Sequence, residues 1–396
     1  MSELYLNKAQ FKTELEKCLQ CPSKPCMKAC PVLCSPCDFI ASAQNNDYAK
    51  AAELIYKQNP LGEVCGLICP DKFCMKACLR AKLDYSIKIP PVQATIMKIA
   101  REKNLLTSQS LAMPVNIKVA IIGGGPAGIG AATELIKHGI AVTVYEKENH
   151  LGGALNLIPT DRLPTEIIDY EWQKLQNNPL IKVETKMNID DYESLLAHGY
   201  DALIVATGEQ KSRSLGIDGE NLAIDYKDYL SFPQKHLSTG HVAIIGGGAV
   251  AVDCAITAVK QGATHVEMFV RRRIGDMRIT PLERESLLQN CVDITTMTRV
   301  TKIMRENGLL TAYTIKTRFD DKGKLIDEDT MLIPRKDIDM VILALGSSRA
   351  QEPITAENIY YAGDYINGGS TAVEAVASGQ KAAQQIAEKF KNIQEN

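Results

Sequence analysis

The sequence predicts an α/β protein, in which a helical, cysteine-bearing N-terminal module precedes two interleaved Rossmann-like domains. Three observations carry that expectation. Ten of the twelve cysteines fall between Cys18 and Cys78. Two glycine loops, Gly123-Gly124-Gly125-Pro126-Ala127-Gly128 and Gly246-Gly247-Gly248-Ala249-Val250-Ala251, each follow a short apolar run. The pattern around the second loop repeats that around the first after about 120 residues, as in a duplicated nucleotide-binding fold.

The elements follow in order. Up to about residue 105 the chain reads as helices and loops. Asp47 caps a helix through Ala49, Ala51, Ala52, Leu54 and Ile55. Pro90-Pro91 opens another that carries Val92, Ile96 and Ile99 on one face. Thr107-Ser108-Gln109-Ser110, followed by Pro114, reads as a linker. Val119–Ile122 has the unbroken apolar character of a buried parallel strand. A small-residue helix from Ile129 to His138 and the strand Val142–Tyr145 complete a βαβ unit. Ala202–Val205 is a later strand. The pattern restarts at His241, with strands at Val242–Ile245 and Val266–Val270, and Met340–Gly346 echoes Ala202–Gly208. The last stretch, with Gly363-Asp364 and a helix from Thr371, is too short for a domain and is expected to return to the first fold.

Composition bounds the function. The 396 residues are long enough for two or three domains. A net charge of −2 argues against general nucleic-acid affinity. The apolar runs are strand-sized, and Met1–Lys8 lacks the features of a signal peptide, so a cytoplasmic protein is expected. In a reducing compartment, ten clustered cysteines read as metal or cluster ligands rather than disulfides.

A strand before each glycine loop and a helix after it are the context that gives the motif meaning. In the first loop, Gly123 permits the turn and Gly125 the approach of a pyrophosphate. Gly128 lets the helix pack close to the strand. Phosphates sit at the helix N-terminus, where free N–H groups favour negative charge. Glu146 ends the second strand, where a carboxylate holds ribose hydroxyls, which suits FAD or NAD. The second loop presents Gly246, Gly248 and Ala251, and its second strand runs into Arg271-Arg272-Arg273, with Arg278 nearby. Guanidinium groups bind a 2′-phosphate where a carboxylate would repel it, so NADPH is expected over NADH. The bland alternative is a solvated charge run. Two such folds in one chain, the first resumed at Gly363-Asp364, form an FAD/NAD(P)H pair, and a helix starting near Thr371 aims its positive end at the flavin.

Zinc and iron–sulfur clusters both take thiolates. Cys30-Pro31 and Cys69-Pro70, the irregular spacing, and fusion to a flavin fold favour clusters. On these residues the chain resembles the FAD- and iron–sulfur-binding half of dihydropyrimidine dehydrogenase and its stand-alone bacterial subunit, and less closely the small subunit of glutamate synthase. The most specific match is Asn59-Pro60-Leu61-Gly62-x2-Cys65-Gly66-x2-Cys69-Pro70. Arg162-Leu163-Pro164, Ala206-Thr207-Gly208, Arg278 and Gly363-Asp364 match shared motifs.

The resemblance implies two 4Fe–4S clusters. Cys18, Cys21, Cys26 and Cys78 would hold one; Cys30, Cys69, Cys74 and Gln93 would hold the other. Cys65 matches a cysteine that is not a ligand there. Cys34 and Cys37 depart from the pattern, either as bystanders or as a C-x2-C pair competing for metal. Around FAD it adds Ala127, Lys147, Gly153, Arg162, Thr207, Gly208, Gly363, Asp364 and Thr371. Around the nicotinamide nucleotide it adds Ala249, Val250 and Gly346, although Ala249 and Val250 replace the polar residues usual there. It divides the chain at 1–112, 113–236, 237–346 and 347–396. No catalytic acid or base is needed, because hydride passes between cofactors.

The resulting expectation is an electron-input subunit that oxidises NAD(P)H through FAD and two clusters for an FMN-containing partner. The alternatives are a glutamate synthase large subunit or a ferredoxin as partner. A zinc-stabilised binding module on a degenerate flavoprotein fold is the non-enzymatic alternative.

Overall fold

Val119, Ala120, Ile121 and Ile122 are all buried, so their backbone groups must be paired on both edges. In the computed structural model, which describes residues 4–106, 112–209, 211–328, 331–349, 352–353 and 356–394, they are. Lys118–Ile122 is the middle strand of a parallel sheet ordered Ile359–Tyr361, Ala202–Val205, Lys118–Ile122, Ala141–Tyr145, Ile181–Glu184. The C-terminal stretch therefore does return to the first fold. Its helix, Ala372–Gln394, lies on the loop helix Pro126–Lys137 through backbone contact. A Cβ on Gly130 would stand 2.4 Å from the Val376 carbonyl oxygen, and one on Gly379 2.0 Å from that of Ala127.

The described chain divides into two units. One comprises residues 1–156, 160–210 and 349–396; the other comprises 157–159 and 211–348. The sequence places the end of the first flavin segment at 236. Residues 211–236 instead group with the second unit, because Ile224–Asp225 pairs with Met340–Leu343 and Tyr226 and Tyr229 enter that unit's core. The linker expected at Thr107–Ser110 lies outside the described residues.

The cysteine module belongs to the first unit. Its helices include Lys8–Glu16, Pro36–Gln44, Tyr48–Gln58, Gly62–Ile68 and Ile89–Glu102. Asp47 caps the third of these as expected, accepting the Lys50 N–H at 2.9 Å. The module is tied to the flavin fold by buried polar groups. The Glu63 N–H donates to Glu171 Oε1 at 3.0 Å, and Lys174 Nζ stands 2.9 Å from Glu171 Oε2. The Glu63 carboxylate accepts a forked pair from Arg101 at 2.8 and 2.9 Å and the Tyr5 hydroxyl at 2.8 Å. Burial raises the Glu171 carboxyl above its ordinary range, and the Lys174 ammonium opposes that shift. Gln380 Nε2 donates to the Gln58 carbonyl at 2.8 Å.

In the second unit the parallel sheet runs Ile224–Asp225, Met340–Leu343, His241–Ile245, His265–Val270, Asp293–Thr296. This is the first sheet's plan repeated. An antiparallel sheet of Thr298–Glu306, Leu309–Phe319, Leu325–Asp327 and Ile333–Ile338 is added. Val300, Ile303, Leu310 and Ala312 from it share a buried cluster with Ala243, Ile245 and Phe269 of the parallel sheet. No described helix is long and apolar enough to cross a membrane.

Candidate functional site

All twelve cysteines are free thiols. Nine of the ten in the module line two cavities. Cys18, Cys21, Cys26, Cys37 and Cys78 surround the first, with Arg80 at its wall. Cys30, Cys65, Cys69, Cys74 and Gln93 surround the second, with Pro31, Pro70, Phe73 and Val373. The two ligand sets implied by the resemblance are thus each gathered at one cavity. Short segments of chain pass between the cavities, among them Cys26 to Cys30 and Cys74 to Cys78. Among the described residues, no group of three or more His, Cys, Asp or Glu side chains is drawn together tightly enough to hold a metal ion. The thiols stand as cavity walls.

The donors suit iron–sulfur clusters: soft thiolates in one cavity, thiolates and an amide oxygen in the other. Gln93 is buried, and its Nε2 donates to the Gly62 carbonyl at 2.7 Å. A carbonyl demands the NH2 end, so the amide oxygen is turned the other way. Burial pushes the Cys18 thiol up to about 11 and the Cys26 and Cys74 thiols up to about 12. A hydrogen bond with Cys65, then burial, raises the Cys69 thiol well above its ordinary value. Ligation needs thiolates, so loading these cavities releases protons. Cys37, a bystander or metal competitor on sequence, sits in the first cavity, and its Sγ is 3.8 Å from that of Cys26. Burial, then the neighbouring Cys30, Cys74 and Cys65, pushes the Cys34 thiol well above its ordinary value.

The first glycine loop is built as its spacing implies. Gly123 has φ +110°, and a Cβ there would lie 2.4 Å from the Ala206 carbonyl oxygen. A Cβ on Gly128 would lie 2.1 Å from the Gly123 carbonyl oxygen. At Gly125 the nearest neighbour is Gly153 Cα at 3.8 Å, so the loop stays open where a pyrophosphate approaches. Glu146 is buried at the strand end; it accepts the Gly124 N–H at 2.8 Å and the Glu148 N–H at 3.0 Å. Lys147 beside it is exposed. Arg162 presents a buried Nε in the same unit, and the Thr207 hydroxyl is buried with no hydrogen-bond partner among the described residues. Gly208 has φ +68° and open space around it.

The returning segment adds the rest of this wall. The Gly363 N–H donates to Ser378 Oγ at 2.9 Å. Burial raises the Asp364 carboxyl, opposed by Ser370. Thr371 caps the Ala372–Gln394 helix, with its N–H 2.9 Å and its hydroxyl 2.7 Å from Glu374 Oε2. Glu374 also meets Lys72 Nζ of the module at 3.4 Å. Val373, two residues after Thr371, lines the second cysteine cavity. Glu63, Arg101, Glu171 and Val373 were not singled out in the sequence, and no local signal marks them. They matter only where distant segments meet.

The second loop repeats the geometry. A Cβ on Gly246 would stand 2.2 Å from the Ala344 carbonyl oxygen, while Gly248 and Gly346 face open space. Ala249, Val250 and Ala251 open the helix Ala249–Lys260, with Ala251 fully buried. The Arg278 N–H donates to the Gly247 carbonyl at 3.2 Å, which holds that residue against the loop. Arg273 is engaged by Asp276 at 2.9 Å and lies 4.5 Å from the Phe319 ring centroid. Arg271 and Arg272 make no ion pair among the described residues.

Two dinucleotide folds of this design, with a thiol-lined module docked on the first, define a pyridine nucleotide-dependent flavin oxidoreductase with an iron–sulfur domain. The chain belongs to the pyridine nucleotide-disulphide oxidoreductase family, whose profile matches residues 117–379. Residues 2–105 match the dihydropyrimidine dehydrogenase domain II, 4Fe–4S cluster, family. Among curated relatives, the NAD-dependent dihydropyrimidine dehydrogenase subunit PreT of Escherichia coli K12 is 31% identical, with 94% of this chain and 92% of that one covered. The PreT homolog of Salmonella typhi is 30% identical over the same shares. Among solved structures, Mycobacterium tuberculosis FprA in complex with NADPH superposes with a TM-score of 0.61 at 18% identity, covering 71% of this chain and 86% of that one. Thioredoxin reductase of T. acidophilum gives 0.51 at 17% identity, covering 69% and 98%. At those identities the likeness is one of fold.

Proposed function

We propose that this chain is the electron-input subunit of a dihydropyrimidine dehydrogenase-type enzyme, with two 4Fe–4S clusters and an FMN-containing partner subunit. When bound, the cofactors supply the redox chemistry, hydride exchange at nicotinamide and flavin and single-electron transfer at the clusters. The residues hold and orient them. Gly123, Gly125 and Gly128 shape the FAD pyrophosphate seat, Glu146 takes ribose hydroxyls, and the Thr371-capped helix points its positive end at the flavin site. Cys18, Cys21, Cys26 and Cys78 hold one cluster; Cys30, Cys69, Cys74 and Gln93 hold the other.

The observation that carries this reading is Val373. It is the second residue of the helix that closes the flavin fold, and it also lines the second cysteine cavity. A redox centre in that cavity abuts the flavin domain, and the Cys26–Cys30 and Cys74–Cys78 segments lead from it to the other cavity. The test is anaerobic. The reconstituted chain should reduce artificial acceptors with NAD(P)H but leave uracil untouched until an FMN-barrel partner is added. Cys30→Ala should block electron export while stopped-flow flavin bleaching survives. Loss of flavin reduction in a folded, FAD-loaded Cys30→Ala protein would refute the order. Uracil left untouched with that partner, but turnover with a glutamate synthase large subunit or a ferredoxin, would reassign the partner.

Arg271 and Arg272 support NADPH, as exposed or half-exposed guanidinium groups at the strand end with no carboxylate partner among the described residues. A second reading, NADH, is favoured by the two PreT relatives, which are named NAD-dependent. Steady-state kinetics with the two nucleotides decide between them.

A further inference from the structure

The first cavity holds one thiol more than a 4Fe–4S cluster takes. Five cysteines line it, and a cluster of this kind has four irons, each with room for one external thiolate. Two of the five are not independent. Cys26 Sγ and Cys37 Sγ are 3.8 Å apart, and both residues are buried, at 7% and 4% exposure. Two sulfurs bound at about 2.3 Å to one tetrahedral metal stand about 3.8 Å apart. The pair is therefore spaced to reach the same metal corner, not two different ones. An iron already bonded to three bridging sulfides has one open position, so only one of the two can occupy it at a time.

Their surroundings make the exchange easy. Cys26 lies in the single helical turn Pro25–Lys28, and Cys37 is the second residue of the nine-residue helix Pro36–Gln44, after Pro36 at its first position. The longer helix fixes the Cys37 backbone at the cavity wall. Switching from one sulfur to the other needs side-chain rotation, with no movement of either helix.

We propose that Cys37 is a reserve ligand of the first cluster, able to take the iron corner otherwise held by Cys26. This rests on the cluster reading above. The step is an exchange of thiolates. The incoming Cys37 gives up its proton and bonds iron, and the outgoing Cys26 sulfur leaves iron and takes up a proton, with no change in oxidation state.

The test uses the full chain reconstituted anaerobically with iron and sulfide, reading iron and sulfide per chain together with the electron paramagnetic resonance of the reduced clusters. The variants are Cys26→Ala, Cys37→Ala and the double variant. Cys26→Ser, which keeps the volume, runs beside Cys26→Ala so that a packing defect does not pass for a lost ligand. FAD content monitors folding. Wild type and each single variant should hold about eight irons, and the double variant about four, a twofold fall that appears only when both thiols are gone. The first-cluster signal in Cys26→Ala should persist with shifted g values. A fall to about four irons in both FAD-loaded Cys26 variants would overturn the proposal, as would a double variant that keeps eight. Wild-type protein carrying zinc and no iron would instead overturn the cluster reading on which it rests.

Discussion

Gly123 and Gly246 stand at the same place in two sheets. Each N–H reaches back to the carbonyl of the neighbouring strand, Tyr145 at 2.8 Å and Phe269 at 3.2 Å. Each would drive a Cβ into the carbonyl of the next strand over, at Ala206 and Ala344. The two folds diverge at the end of the following strand. After Tyr145 comes the buried, twice hydrogen-bonded carboxylate of Glu146; after Val270 come Arg271 and Arg272. One backbone plan is thus built twice, with a buried carboxylate after the strand in one copy and exposed or half-exposed guanidinium groups after it in the other. They differ also in what they carry. The first fold has the thiol module docked on it and is closed by the returning helix Ala372–Gln394. The second has its own antiparallel sheet.

The sharpest break in this comparison is at the loops. Gly123→Ala should strip FAD, lowering the FAD-to-protein ratio by about tenfold or more, because the side chain meets backbone and the residue must keep a positive φ. Gly246→Ala should leave FAD in place and raise the KM for the nicotinamide nucleotide. If Gly246→Ala lost FAD instead, the loops would have been assigned the wrong way round.

The docked module gives the next effect. Arg101→Ala leaves the Glu63 carboxylate, 1% exposed, without its ion-pair partner. A buried charge so abandoned costs about 3–5 kcal/mol. Denaturant unfolding should show that loss, and the double change Glu63→Gln with Arg101→Ala should recover some of it. No recovery would mean that the loss does not come from stranding the Glu63 charge.

At the strand end, replacing Arg271 and Arg272 with Ala should cost NADPH about 1.5–3 kcal/mol in kcat/KM, roughly 10- to 150-fold, and leave NADH little changed. Equal losses with both nucleotides would show that the arginines do not read the 2′-phosphate.

The smallest effect concerns His241, which has no counterpart in the first fold, where Lys118 holds the matching strand position. Burial, then the His265 ring stacked 4.1 Å away, lowers its pKa; Glu267 at 3.8 Å and Asp339 oppose that shift. The folded protein therefore resists protonation here, and below about pH 6.5 the unfolded chain takes up the extra proton. Stability rises with pH up to that value and levels off above it. His241→Asn should flatten the Tm profile between about pH 5 and 7 by a few degrees at most. An unchanged slope would mean that this residue does not set it.

Both βαβ units were legible in the sequence because their signals are local. An apolar run, a glycine turn and a small-residue helix stand side by side in the chain, and each works over a few residues. Asp47 and the Pro90-Pro91 helix start were legible for the same reason. The antiparallel sheet between Thr298 and Ile338 was not, since its strands mix polar and apolar residues without a clean period, and even Thr311, Thr314 and Thr317 are buried in it. The boundary at 236 missed for a related reason: Ile224–Asp225 is two residues long, and only its partner strand reveals where it belongs.

The sequence by itself determined that this chain carries two dinucleotide-binding folds and concentrates soft ligands at its N-terminus. Those are properties of residue type and short spacing. Only the tertiary structure decided which thiols share a cavity. Cys78 joins Cys18, Cys21 and Cys26, Cys30 joins Cys69 and Cys74, and Cys37 comes to rest 3.8 Å from Cys26. Spacing measures distance along the chain, while a cluster is built from distance through space. The two coincide for Cys18 and Cys21 and diverge wherever a helix turns the chain back on itself.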